Sequence, residues 1–177
     1  MAELKKTLGS AEHPTAKKIK ALLSTQGLNT IVEWACDYAD DYYMPILKER
    51  NAEDETLTAA IKAVREWLEG ALTDEGTHPF CNEALHSARE SEKDADPVIT
   101  AAKRAVSTAC SVIHNPSNAL SFAFYGAAAY AYKEAGIEAD ELIYDKLASM
   151  ELNRVLATLQ GSALEDETNP YQIDWNC

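Results

Sequence analysis

The sequence predicts an all-α protein: a single-domain bundle or irregular stack of about seven helices arranged as antiparallel hairpins. Apolar residues recur at threes and fours along nearly the whole chain, with no convincing strand alternation. Gly and Pro are few, 7 and 6 of 177 residues. An apolar content of 46% suits one domain with its own core, and neither a disordered tail nor a disulfide scaffold. The predicted organisation is a basic arm over 1–14, a helical domain over 15–161 and an acidic tail over 162–177.

The first helix is predicted from about Thr15 to Gln26, burying Ile19, Leu22 and Leu23 and stopping at Gly27. The second, about Leu28 to Glu49, shows Leu28, Ile31, Val32, Ala35, Ala39, Tyr42 and Ile46 as a core stripe, with a kink at Pro45. Polar residues 51–54 can cap the third, whose buried face is Leu57, Ala60, Ile61, Val64, Leu68 and Ala71. The fourth is predicted to start at Thr77, with Pro79 in its first turn and Phe80, Ala84, Leu85 and Ala88 inward.

Asp96 and Pro97 read as cap and first residue of the fifth helix, which shows Val98, Ala101, Ala102, Ala105, Ala109 and Val112. Asn115, Pro116 and Ser117 repeat that punctuation before the sixth, which ends at Gly136. The seventh runs from about Asp140 to Gln160, with Ile143, Leu147, Met150 and Leu156 inward and a stop at Gly161.

The sixth helix contains AFYGAAAYAY, residues 123–132, with little larger than a methyl group between its aromatics. The turn joining it to the fifth is very short and both helices have Ala or Gly faces. They are therefore expected to pack antiparallel with closely approaching axes, near the lower end of the usual 8 to 10 Å. Tyr125, Tyr130 and Tyr132 are expected to cover the flanks of this pair or to reach the next layer. The apolar run is too short to span a bilayer. Neither a signal peptide nor an anchor is legible at the N-terminus, so a cytoplasmic location is expected.

A formal net charge of −13 argues against direct nucleic-acid binding, which depends on clustered Lys and Arg. Lys5, Lys6, Lys17, Lys18 and Lys20 make the N-terminal part locally basic, while the acidic excess lies from Glu33 onward. An acidic surface steers basic proteins toward itself. The four cysteines, Cys36, Cys81, Cys110 and Cys177, lack framework spacing and read as reduced thiols.

Two sets of residues could carry chemistry. His78, Cys81, His86, Cys110 and His114 could in principle converge on a transition metal, but their spacing is not that of a closed zinc site. Asp37, Asp40 and Asp41, with Asp54 and Glu55 after the bend, could hold a cation or act as acid and base; a solvated helix face is the simpler reading. No nucleophile elbow, phosphate loop or triad is present. Tyr38, Tyr42 and Tyr43 cannot all face one way on a helix. At least one is therefore expected near solvent among the acids, a composition suited to contacting another protein. The expected contact set is Asp37, Tyr38, Asp40, Asp41 and Tyr43, with no metal and no cofactor. His114 is expected to link the fifth and sixth helices by hydrogen bonds, with Asn115 or Asn118 nearby.

Two stretches, WACDYADDYYMPILKERNAEDETLTAAIKAVREWLEG over 34–70 and AAKRAVSTACSVIHNPSNALSFAFYGAAAYAYKEAG over 101–136, resemble the all-helical immunity proteins of bacterial polymorphic toxin systems, specifically the fifth numbered immunity family. The family pattern has a Cys-bearing aromatic helix, an acidic turn, an Ala-rich helix closing in Trp and Gly, and a later Ala-rich helix leading to His and a short turn. Cys36, Asp54, Arg65, Trp67, Gly70 and His114 take the matching places. Asn118 stands where the pattern has a second His. The resemblance implies a non-catalytic protein that binds a cognate toxin, often a nuclease, and blocks it. The competing classes are a small metal-dependent hydrolase using His78, His86 and His114 or the acids near Asp37, and a helical adaptor.

Overall fold

The computed structural model describes residues 4–93 and 96–175. Its helices are α1 (Pro14–Leu23), α2 (Leu28–Tyr38), α3 (Met44–Glu49), α4 (Glu55–Leu68), α5 (Asp74–Glu90), α6 (Pro97–Cys110), α7 (Asn118–Ala135) and α8 (Glu141–Ser162). A π-helical turn, Ala39–Tyr43, joins α2 to α3 without a break, so 28–49 is one continuous helical stretch. Counted that way the described residues contain the seven expected α-helical stretches, and no strand.

Two small-residue helices form the centre. α6 buries Ala101, Ala102, Ala105, Val106 and Ala109, and α7 is buried nearly all round through Ala119, Ala123, Gly126, Ala127, Ala128, Ala129 and Ala131. The pair packs together as expected, with α8 against α7 and α5 against α6. α2 and α4 also touch α6, and α1 lies on α8. Gly126 has a different use from the one expected. A Cβ there would overlap the phenol of Tyr43, so the glycine makes room for a ring from the π turn.

The π turn also reverses the expected roles of the tyrosines. Pro45 has no N–H for the carbonyl one turn back, and its ring crowds that carbonyl. Just before it the chain widens, and the Met44 N–H donates to the Ala39 carbonyl five residues back. The extra residue rotates the next turns of the helix. Ile31, Val32, Ala35 and Ala39 hold the predicted stripe, but Tyr43 then turns inward in place of Tyr42, followed by Ile46 and Leu47.

Caps set the remaining boundaries. Asp54 accepts from Thr56 N at 2.9 Å and starts α4; Asp96 accepts from Val98 N at 2.9 Å and starts α6. α5 begins earlier than predicted, because Thr73 caps it by accepting from Gly76 N at 3.1 Å, which leaves Pro79 inside the helix. α4 ends in a Schellman motif. Gly70, at φ +78, donates to Trp67 O at 3.0 Å, and Ala71 donates to Glu66 O at 2.8 Å. Gly27 does not stop α1, whose C-cap is Ser24, but caps α2. α8 continues through Gly161 to Ser162.

The phase of α8 differs from the prediction. Tyr144, Ala148, Glu151, Leu152, Val155 and Leu159 are buried, whereas Ile143 and Met150 are 45% and 48% exposed and Leu147 and Leu156 only half-buried. Phe80, expected inward, is 42% exposed, and Cys81 takes the core position beside it.

The first and last described segments pack on the helices. Leu8 is buried, its N–H donates to Phe124 O at 3.1 Å, and Tyr132 Oη donates to Lys5 O at 2.6 Å. Lys5 and Lys6 pair with Glu141 and Glu92. The tail is held by buried Gln26, whose amide accepts from Leu164 N at 2.8 Å and donates to Leu164 O at 3.1 Å. Trp175 lies under Lys20 Nζ at 5.1 Å. Cys177 lies outside the described residues.

Candidate functional site

The acidic stretch 37–43 presents different chemistry on its two sides. Outward, Asp37 and Asp41 are exposed and Asp40 is half-buried. Arg65 of α4 reaches across and donates from Nη2 to Asp40 at 2.8 Å and to Asp37 at 3.2 Å. Asp41 stands outside this pairing. Beside it Asp40, Met44, Ile61, Arg65, Glu66 and Glu69 line a shallow groove between the π turn and α4.

Inward, Tyr38 and Tyr43 are 2% and 0% exposed and cannot take part in a surface contact, contrary to the expected contact set. Their hydroxyls both donate to Glu151 Oε1, at 2.5 and 2.9 Å. Arg154 completes the network: Nη2 donates to Glu151 Oε2 at 2.5 Å and Nε to Tyr38 Oη at 2.9 Å. Burial pushes the Glu151 carboxyl above its ordinary range, while Tyr38 and Arg154 pull it back. The guanidinium lies 4.3 Å from the Tyr42 ring centre and 5.4 Å from that of Tyr130.

Asp54 serves the fold. Its carboxylate accepts from Thr56 N, Thr56 Oγ1, Ser87 Oγ and Lys103 Nζ, tying α4, α5 and α6 together. Burial would raise its pKa, but these hydrogen bonds outweigh burial and lower it to about 2. Trp67 Nε1 donates to Asp74 across the α4–α5 turn. Cys36 is fully buried against the carbonyl of Ile61.

The His114 side chain meets α5. Its ring stacks on His78 at 3.7 Å and 10° between planes, and Nε2 lies 3.0 Å from Thr77 Oγ1. The Thr77 hydroxyl donates its one proton to Asp74 O at 2.6 Å, so His114 Nε2 must carry the hydrogen that Thr77 accepts. His114 therefore bridges α5 to the α6–α7 turn. Burial and the neighbouring His78 lower its pKa. Asn118 opens α7, its N–H donating to Asn115 O at 2.9 Å.

The five His and Cys positions do not form a common ligand set. His86 is exposed on α5, Cys81 is buried with Sγ 3.5 Å from Cys110 O, and parallel stacked imidazoles do not aim their nitrogens at one point. Among the described residues no group of three or more His, Cys, Asp or Glu is placed to hold a metal ion. No described helix is long and apolar enough to cross a membrane.

The comparison with known families agrees with this order of features: the model described as "Imm-5 like putative immunity protein" matches residues 21–153. The chain belongs to this immunity-protein family. The match takes in both resembling stretches and extends from the end of α1 into α8, covering Asp37, Asp40, Asp41, Arg65, His114 and Asn118. No curated protein and no solved structure matches the chain.

Sequence reasoning missed two members of the central network in this immunity-family chain, Glu151 and Arg154. Their spacing of three on one helix was a legible signal, since side chains so placed meet. A buried Glu, however, breaks the apolar pattern by which an inward face is read.

Proposed function

We propose that this protein binds a cognate toxin domain in the cytoplasm and neutralises it by covering its working surface, without catalysing a reaction. One observation carries the reading: a member of an immunity family presents Asp37 at the end of α2, with Asp40 and Asp41 on the π turn that follows, as an acidic outward stretch. In a chain of formal charge −13 this stretch favours a basic partner. A nuclease fits, because a cleft that holds phosphates is lined with Lys and Arg. The contact set reduces to the three aspartates. Tyr38 and Tyr43 support it from beneath through Glu151.

Occlusion needs affinity and speed. Carboxylates at an accessible turn raise the encounter rate with a basic surface. The test is expression of toxin domains taken from the same genome, basic nuclease domains first, each alone and together with this protein. The expected result is growth arrest that co-expression relieves, with a complex that survives gel filtration. Toxicity undiminished by this protein, with no complex, overturns the reading.

A further inference from the structure

We infer that the toxin is held at a preorganised patch beside the acidic turn, made by Tyr42, Tyr130, Arg154 and the outward apolar face of α8, and that its occupant is a basic segment of the toxin. The inference rests on the toxin-binding reading and adds the place and manner of holding.

The first observation is the α8 face itself. Spacings of four, three and four put Ile143, Leu147, Met150 and Arg154 on one side of the helix. This is the stripe whose apolar pattern predicts burial, yet Ile143 is 45% exposed and Met150 48%. Large apolar side chains aligned on a surface mark an interaction site more often than isolated ones do.

The second observation is the state of Arg154. Its side chain is 36% exposed, yet the guanidinium is fixed by Glu151 and Tyr38 and flanked by the rings of Tyr42 and Tyr130. Two of its five N–H groups serve Glu151 and Tyr38. Burying the Glu151 carboxylate, whose side chain is 0% exposed, is costly compared with a well-packed apolar residue. What the burial provides is a rigid Arg between aromatic rings at the surface. Tyr and Arg dominate the energetic centres of protein interfaces, and side chains already ordered lose less entropy on binding.

Charge decides the occupant. Glu151 neutralises Arg154, so the centre of the patch carries little net charge. Exposed Asp41 is next to Tyr42 in the chain and exposed Asp37 lies one turn earlier, while exposed Lys146 flanks the stripe on α8, so carboxylates outnumber the opposing lysine beside the patch. A basic segment can lay the aliphatic stems of Lys or Arg along Ile143 and Met150 while its charged heads reach those carboxylates. Its backbone carbonyls can accept from the remaining N–H groups of Arg154.

The experiment measures binding kinetics of the full chain with the toxin domain that it neutralises on co-expression. Tyr130→Ala and Met150→Ala are expected to raise Kd about tenfold or more, mainly through faster dissociation. Phe80→Ala, which truncates an exposed ring on α5, and Tyr130→Phe, which keeps the ring, should bind like wild type. Circular dichroism melts identify any variant that is misfolded, and the other alanine variant then decides. Wild-type binding with both alanine variants unchanged overturns the patch alone. A wild-type chain that neither binds nor protects overturns the toxin-binding reading and the patch with it.

Discussion

The phenol of Tyr43 occupies the space where a side chain at Gly126 would begin. An added Cβ would overlap both the hydroxyl and the ring carbon that bears it. Tyr43 is 0% exposed and its hydroxyl is committed to Glu151, so the ring has nowhere to go. The small wall of α7 thus admits an aromatic from the π turn, besides bringing α6 close.

Gly126→Ala is accordingly expected to destabilise the protein. Replacing a mid-helix glycine by alanine ordinarily adds up to about 1 kcal/mol, whereas overpacking a filled core costs about 1 to 3 kcal/mol. Overlap with an immobile ring belongs at the upper end, so the net change is a loss of roughly 1 to 2 kcal/mol. Urea denaturation of the two proteins checks it, and a variant as stable as the parent would mean that Tyr43 can move aside.

Asp54 makes the fold sensitive to acid. Its folded pKa of about 2 lies below its ordinary 3.8, so the unfolded chain binds the proton more readily. The stabilisation is present above pH 3.8 and is lost as pH falls toward 2. With its side chain 11% exposed, the contribution is about 2 kcal/mol at neutral pH. Asp54→Asn keeps a capping side chain and removes the charge. It should be less stable than wild type at pH 7 and converge with it near pH 2. A stability difference independent of pH would assign the effect to packing.

The helices were legible because their apolar spacing, caps and Gly and Pro punctuation all pointed the same way. Asp96 with Pro97, Asp54 and Gly136 stand where local physics puts them. The misreadings of the tyrosines and of α8 come from two assumptions, regular winding and an apolar interior. The π turn breaks the first assumption and exchanges Tyr42 for Tyr43. Glu151 breaks the second, because the inward side of α8 carries a carboxylate while Ile143 and Met150 face out. The acidic turn itself was visible in the sequence. Arg65 was visible only as a family position, since its approach to Asp37 and Asp40 is a tertiary contact between α2, the π turn and α4.

The buried thiols should be inert in the folded protein. Burial pushes Cys36 up to about 12 and Cys81 up to about 11, and raises fully buried Cys110 well above its ordinary value. The thiolate is the reactive form, and all three groups are also out of reach of solvent. An aromatic disulfide reagent at pH 8 should leave Cys36, Cys81 and Cys110 unmodified until denaturant is added. Mass spectrometry of labelled peptides checks this residue by residue. Rapid native labelling at Cys36 would show that the contact between α2 and α4 opens.

The acidic turn should govern how fast the toxin arrives. Asp37 and Asp40 share one guanidinium, so Arg65 offsets part of their charge, while Asp41 remains outside that pairing. The pair is exposed, Arg65 at 45% and Asp37 at 53%, and an exposed pair contributes little to folding. Replacing Asp37 and Asp41 together by Lys is therefore expected to leave the melting temperature nearly unchanged. It reverses the local field, however, and should slow association with the toxin by about tenfold or more at low salt. Raising ionic strength shortens the Debye length to about 8 Å at physiological salt, so wild-type association should slow while the variant changes little or speeds up. Dissociation should be affected much less, because steering acts before contact. Stopped-flow association measured across a salt series separates these effects. Association indifferent to both salt and charge reversal would remove the encounter surface from this turn and direct attention to the turns beside His78 and His114.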